Sequence, residues 1–200
     1  MSELAFYNNL LTGMLWLAPI VFVALLFVTA PYGRHTRRTW GRRMDNRLGW
    51  IIMEAPAAIV FGICFLLGEY KTGATSLMFL VLWETHYIYR SFFFPRKLKG
   101  RQMIPVAIVV MSILFNSANA YLNGRYLFTF SGGYPAKWLF DLHFITGAGL
   151  FISGMVINRR ADSTLLSLRA PQEEGYKIPK GGLFELVSCP NCGRFLYYVK

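Results

Sequence analysis

Residues 48–67 read LGWIIMEAPAAIVFGICFLL, an apolar run that carries a single ionisable group, Glu54. Coiled as a helix at 1.5 Å per residue, a run of this length reaches roughly 30 Å, the thickness of the hydrocarbon core of a bilayer. The chain repeats the pattern. Five spans are expected, at Leu11–Ala30, Leu48–Leu67, Thr75–Phe94, Met103–Leu122 and Leu139–Asn158. The composition agrees, with 54% hydrophobic and only 16% charged residues in a chain of 200, outside the ordinary range of soluble proteins. The sequence therefore predicts an all-α, multi-pass transmembrane helical bundle that forms one membrane-embedded domain over residues 1–200, with residues 159–200 as a cytoplasmic loop and C-terminal segment.

The first run resembles a signal peptide only in position. No Lys or Arg precedes it, and its apolar stretch continues past Leu15-Trp16-Leu17 to Thr29, longer than a cleaved signal core. It is expected to be a retained span. The net charge of +11 raises nucleic acid as a partner, but the charges alternate along the chain instead of forming one patch. Arg34, Arg37, Arg38, Arg42, Arg43 and Arg47 follow the first span. Arg96, Lys97, Lys99 and Arg101 follow the third, and Arg159, Arg160, Arg169, Lys177 and Lys180 follow the fifth. The other two loops carry Lys71 in one and Arg125 and Lys137 in the other. That alternation is the positive-inside bias, which puts the N-terminus outside and makes membrane lipids, not nucleic acid, the expected partner. Two readings of the basic face stay open: lipid headgroups, or the phosphates of a cofactor. The three cysteines form no disulfide framework, and Cys189-x-x-Cys192 lacks a second half at zinc-ligand spacing, so no metal is expected.

Ionisable groups inside hydrocarbon are costly and are functional candidates by default. Glu54 and Tyr87 lie six or seven residues in from the cytoplasmic ends of adjacent antiparallel spans, roughly 9–10 Å deep. A carboxyl and a phenol at one depth can converge on a substrate carbonyl and donate to a developing oxyanion. They can equally hydrogen-bond each other and lock two helices. Glu84 shares the helical face of Tyr87 at i, i+3 and could orient it. Arg90 lies nearer the cytoplasm, facing either ligand phosphates or lipid headgroups. Gly147-Ala148-Gly149 sits inside a span and follows no strand, so a dinucleotide, if bound, is held outside a Rossmann fold.

Gly181-Gly182-Leu183-Phe184-Glu185-Leu186-Val187-Ser188-Cys189-Pro190-Asn191 resembles the steroid 5α-reductase family. Further similar blocks occur in family order: Tyr32-Gly33-Arg34-His35-Thr36, Glu54-Ala55-Pro56, His86-Tyr87-Ile88-Tyr89-Arg90, Gly100-Arg101, Ile157-Asn158, Asp162, Leu168-Arg169 and Tyr176-Lys177-Ile178-Pro179. The resemblance implies seven helices, NADPH bound near the cytoplasmic side, and reduction of 3-oxo-Δ4 steroids or a similar lipid enone. It implies Glu54 and Tyr87 at the substrate carbonyl. It also implies cofactor contacts from Tyr32, Arg34, Arg101, Asn158, Asp162, Arg169, Tyr176, Lys177 and Asn191. As a bacterial-type homologue the protein would occupy the bacterial inner membrane, or otherwise the endoplasmic reticulum membrane. After Asn191 the family continues into two more helices, whereas this sequence diverges to Cys192-Gly193-Arg194, so five of the seven helices are expected here. Two alternatives remain: an isoprenylcysteine-type membrane methyltransferase, which has no use for the Glu54/Tyr87 pair, and a truncated, inactive lipid-binding protein.

Overall fold

A computed structural model describes residues 2–27, 41–98, 102–168, 179 and 181–186. Its helices are α1 (Glu3–Phe27), α2 (Asn46–Leu67), α3 (Ala74–Ile88), α4 (Phe94–Lys97), α5 (Val106–Arg125) and α6 (Leu142–Ser167). A π-helical turn at Tyr89–Phe93 makes α3 and α4 one continuous rod, and a second at Tyr126–Phe130 extends α5. Five rods thus cover the five expected runs, and the fold is all-α. Three of them, Glu3–Phe27, Asn46–Leu67 and Val106–Phe130, are long and apolar enough by themselves to cross a membrane.

The rod ends depart from the apolar runs because hydrogen bonding, not hydropathy, ends a helix. The first rod starts at Glu3 instead of Leu11, where Ser2 Oγ accepts from the Ala5 N–H at 3.3 Å and Glu3 meets the positive end of the helix dipole. The fifth runs through Arg159 and Arg160 to Ser167, so the segment expected as loop after Asn158 begins as helix. The fourth begins later than Met103, because Met103–Pro105 is a short strand, β2, antiparallel to β1 (Arg43–Asp45) with Met44 opposite Ile104. α2 starts where Asp45 Oδ1 accepts from the Arg47 and Leu48 N–H groups, both at 3.0 Å, an acidic N-cap.

The chain falls into two compact units: Met1–Arg96 with Arg101–Pro135 holds α1, α2, α3 and α5, and Lys97–Gly100 with the chain from Ala136 holds α6. In the first, the β1–β2 pair brings the starts of α2 and α5 together, and the two helices run side by side in parallel. Small residues let their backbones approach. A Cβ on Gly49 would lie 2.6 Å from Ile104 Cγ2, and one on Gly124 would lie 2.6 Å from Cys64 Cβ. Close contact of this kind is how helices associate in lipid, where no hydrophobic force drives them together. Ala57, Phe61, Ala120 and Phe128 are wholly buried around this seam. Phe61 stacks on Trp83 of α3 at 4.3 Å, and Trp83 Nε1 donates to the Ala57 carbonyl at 3.0 Å, so α3 is held to α2 by both packing and polarity.

α1 meets α5 near one end. Arg125 Nε and a terminal guanidinium nitrogen donate to the two carboxylate oxygens of Glu3 at 2.6 and 2.7 Å, and Tyr121 Oη donates to Glu3 Oε1 at 3.3 Å. Leu15, Trp16, Ile20 and Phe22 are more than half exposed, which suits a helix whose outer face meets lipid. In the second unit, the Asp141 carboxylate caps α6 by accepting from the His143 N–H at 2.8 Å. Trp138 packs edge-on against Phe144 at 5.4 Å.

The Gly124 contact yields an expectation. Gly124→Ala inserts a methyl where Cys64 already stands, and overpacking of this kind costs about 1–3 kcal/mol. Unfolding in mixed detergent should show that loss, and adding Cys64→Gly should recover most of it. An unchanged midpoint for Gly124→Ala would mean that the seam is looser than described.

Candidate active site

α2 carries Pro56, whose ring nitrogen has no proton to give the Ile52 carbonyl four residues back. Beside that gap the helix takes a donor from its neighbour: Asn116 Nδ2 of α5 donates to the Met53 carbonyl at 2.6 Å. The same amide nitrogen lies 3.5 Å from Glu54 Oε2. Asn116 is buried, so the lateral position of Glu54 is set from α5.

The other oxygen, Glu54 Oε1, is 3.5 Å from a terminal guanidinium nitrogen of Arg90, and both side chains are 14% exposed. Arg90 belongs to the π turn after α3, and its guanidinium carbon sits 4.5 Å from the Trp50 ring centre and 4.7 Å from that of Phe94. Trp50 and Phe94 pack edge-to-face at 4.9 Å, which gives a two-sided aromatic seat. Arg90 is therefore turned into the bundle, toward neither headgroups nor an exposed phosphate. Aromatic faces and one carboxylate replace the water it would otherwise keep.

Tyr87, one turn before Arg90, lies near Glu54 and near Asn119 of α5. Its ring packs on Trp83 at 4.8 Å and on His86 at 5.0 Å. The two residues expected at the carbonyl are thus brought together with Arg90, Asn116 and Asn119. Glu84 does not join them. Its Oε1 is buried without a partner among the described residues and faces α2, 3.7 Å from where a Cβ on Gly62 would stand. An open groove of about 280 Å³ runs between Tyr7, Leu11, Met14 and Leu15 of α1 and Asn119 and Asn123 of α5.

Of the residues expected at a cofactor, Asn158 and Asp162 are described. They stand four apart on one face of α6, in the second unit, and Asp162 is buried. Tyr32, Arg34, Arg101, Arg169, Tyr176, Lys177 and Asn191 lie outside the described residues, as does Cys189-x-x-Cys192. The start of the long glycine motif forms a short turn. Gly181 and Gly182 have φ of +90° and +57°, which suits glycine, and Glu185 Oε1 accepts from the Gly181 N–H at 2.7 Å. Among the described residues no cluster suits a metal ion.

Asn116 and Asn119 are the site residues that sequence reasoning missed. Their signal was present as two amides at i, i+3 within an apolar run, but periodicity does not say which neighbour such a face meets.

Fold and site together define a multi-pass helical membrane protein with a carboxylate, a guanidinium, a phenol and two amides gathered among its apolar helices. The sequence profile described as 3-oxo-5-alpha-steroid 4-dehydrogenase matches residues 102–199. Over 96% of its length the chain is 33% identical to a steroid 5-alpha-reductase of Arabidopsis thaliana, covering 76% of that protein. It is 34% identical to the Gossypium hirsutum steroid 5-alpha-reductase, over 95% of this chain and 75% of that one. It is 36% identical to 3-oxo-5-alpha-steroid 4-dehydrogenase 1 of Mus musculus, over 96% of this chain and 75% of that one. The chain belongs to the steroid 5-alpha-reductase family.

The Glu54–Arg90 pair makes a further expectation. Arg90→Leu leaves a buried carboxylate without its cation, and losing a hydrogen bond to a charged group costs about 1.5–3 kcal/mol. Glu54→Gln in the Arg90→Leu background removes that unpaired charge. The double variant should therefore unfold in detergent at a higher midpoint than Arg90→Leu alone, and the reverse order would show the pair to be energetically idle.

Proposed function

We propose that this protein is an NADPH-dependent reductase of the 4,5 double bond of 3-oxo-Δ4 steroids or of a similar lipid enone. Family membership supports a steroid oxidoreductase. The single observation that carries the finer reading is the grouping of Tyr87 with Glu54 inside the bundle, with Asn116 and Arg90 on the carboxylate.

NADPH, when bound, would supply hydride to the enone's β carbon, and the enolate left behind would take up a proton from water at the α carbon to give the saturated ketone. Tyr87 meets the carbonyl and donates to its oxygen as negative charge develops there. Glu54, fixed by Arg90 and Asn116, stands beside the phenol and keeps it aimed. Donors held in advance in a water-poor site stabilise a developing oxyanion without reorganising. Trp83 and the surrounding apolar helices exclude water from that hydrogen bond.

The fit to a dinucleotide rests on α6, where Asn158 and Asp162 offer an amide and a carboxylate on one helical face, donors and acceptors suited to the ribose hydroxyls and carboxamide of such a molecule. With them, Arg101 and Arg169 are proposed to pair with phosphate, and Tyr32, Arg34, Tyr176, Lys177 and Asn191 to complete the contacts. Arg42, Arg43, Arg47 and Arg96 lie at the starts of α2 and at the end of the α3 rod. That placement supports an outside N-terminus, in a bacterial inner membrane or the endoplasmic reticulum.

The test is incubation of the protein in lipid with NADPH and testosterone or progesterone, followed by a search for the 5α-reduced product. Loss of one oxyanion donor typically lowers turnover ~10²–10³-fold. Tyr87→Phe and Glu54→Gln should each do so while changing NADPH affinity far less. Equal losses in cofactor affinity would place both residues at the wrong ligand. Asp162→Asn and Arg169→Ala should do the opposite, weakening NADPH binding while sparing the steroid.

A further inference from the structure

Glu84 is an ionisable group inside a span that the candidate site does not use. It stands ten residues after Ala74, near the middle of the rod that runs from Ala74 to Lys97. At 1.5 Å per residue that is roughly 15 Å from the Ala74 end, about half the thickness of the hydrocarbon core. Its Oε1 is buried without a hydrogen-bond partner among the described residues, 3.7 Å from where a Cβ on Gly62 would stand. The residue as a whole is only part-buried. A polar group at that depth finds no water, and leaving it unpaired is costly.

The face around Glu84 indicates what can pair with it. Leu77, Val81, Glu84 and Ile88 follow one another at intervals of four, three and four, so they share one side of α3. Leu77, Val81 and Ile88 are exposed, whereas Trp83 turns to α2 and donates to the Ala57 carbonyl. Such a repeat is the seam of two helices packed side by side, and one polar residue within it fixes their register. Lipid tails could cover the three apolar residues equally well, so Glu84 decides the occupant. Phospholipid polar groups stay at the bilayer surfaces. A carboxyl that carries its proton is both donor and acceptor, so another carboxyl complements it. A second copy lies in the same bilayer with the same orientation, and a two-fold axis along the membrane normal sets residue 84 opposite residue 84 at one depth.

We propose that two copies of this chain pair across α3, with Leu77, Val81 and Ile88 packed on their counterparts and the two Glu84 carboxyls hydrogen-bonded to each other. Close packing and hydrogen bonds are what associate helices in lipid. There is room for the second carboxyl beside the first, because a Cβ on Gly62 would meet only Glu84 Oε1 within 4 Å.

The test is Förster transfer between donor- and acceptor-labelled copies of the full chain, labelled at the N-terminus, as the protein is diluted in phosphatidylcholine vesicles. Wild type should pair, with transfer falling on dilution. Glu84→Leu fills the seam but removes donor and acceptor, and should weaken pairing roughly five- to thirtyfold. Glu84→Gln, whose amide also donates and accepts, should pair nearly as well as wild type. In a chain carrying Cys189→Ser and Cys192→Ser, Val81→Cys should give a disulfide-linked dimer on mild oxidation. Leu114→Cys, exposed on α5, should not.

A chain that stays monomeric at every dilution overturns the inference. So does pairing that Glu84→Leu leaves unchanged, or cross-linking through Leu114→Cys instead of Val81→Cys. A lipid that stays with monomeric wild type but not with Glu84→Leu in native mass spectrometry would give the face to a hydroxyl-bearing lipid. In excess detergent, where copies separate, Glu84→Leu should unfold no earlier than wild type. An earlier midpoint would show the carboxyl bonded within a single copy, and the inference would fall.

Discussion

Gly124 has no side chain, and Cys64 of α2 occupies the space where one would begin. That contact decides how near α2 and α5 lie, and nearness decides what the polar residues of α5 can reach. Two turns before Gly124, Asn116 is close enough to donate to a backbone carbonyl of α2 at 2.6 Å. In hydrocarbon there is no water to solvate backbone groups beside a proline, so a donor from a neighbouring helix counts for more there. Asn116 can reach the Met53 carbonyl, next to the one that Pro56 leaves open, because α5 is near, and α5 can come near because position 124 is glycine.

The same geometry governs charge. A carboxylate drawn out of water loses several kcal/mol of solvation unless other groups replace the water. Glu54 finds its replacements on two different elements, Arg90 on the α3 rod and Asn116 on α5. Arg90 is compensated in turn by the faces of Trp50 and Phe94. The result is a carboxylate with little freedom to rotate, near the Tyr87 phenol. Fixed dipoles of this kind are costly to assemble inside hydrocarbon, and here they come from three helices whose packing is already required for the fold.

Each of the two π turns carries a side chain that packs against neighbouring rods. At Tyr89–Phe93 the wider turn carries Arg90, and Pro95, which has no N–H to offer, follows it in α4. At Tyr126–Phe130 the wider turn delivers Phe128, wholly buried, against Gly68 and both Phe61 and Phe65.

The sequence by itself determined the class of fold and the five rods, because each depends on one-dimensional quantities: run length, charge alternation and rise per residue. It also carried the family, through motifs long enough to be specific. Rod ends were less legible, since Ser2, Asp45 and Asp141 begin helices by hydrogen bonding and hydropathy does not register that. Only the tertiary structure decided that Arg90 turns inward to Glu54, that Glu84 faces Gly62 instead of Tyr87, and that Asn116 and Asn119 are the partners of the site. A helical period tells which residues share a face but not which helix that face meets, or at what distance. Those follow from the absent side chain at Gly124, the pairing of β1 with β2 and the wider turn at Tyr89–Phe93, which act between segments far apart in the chain.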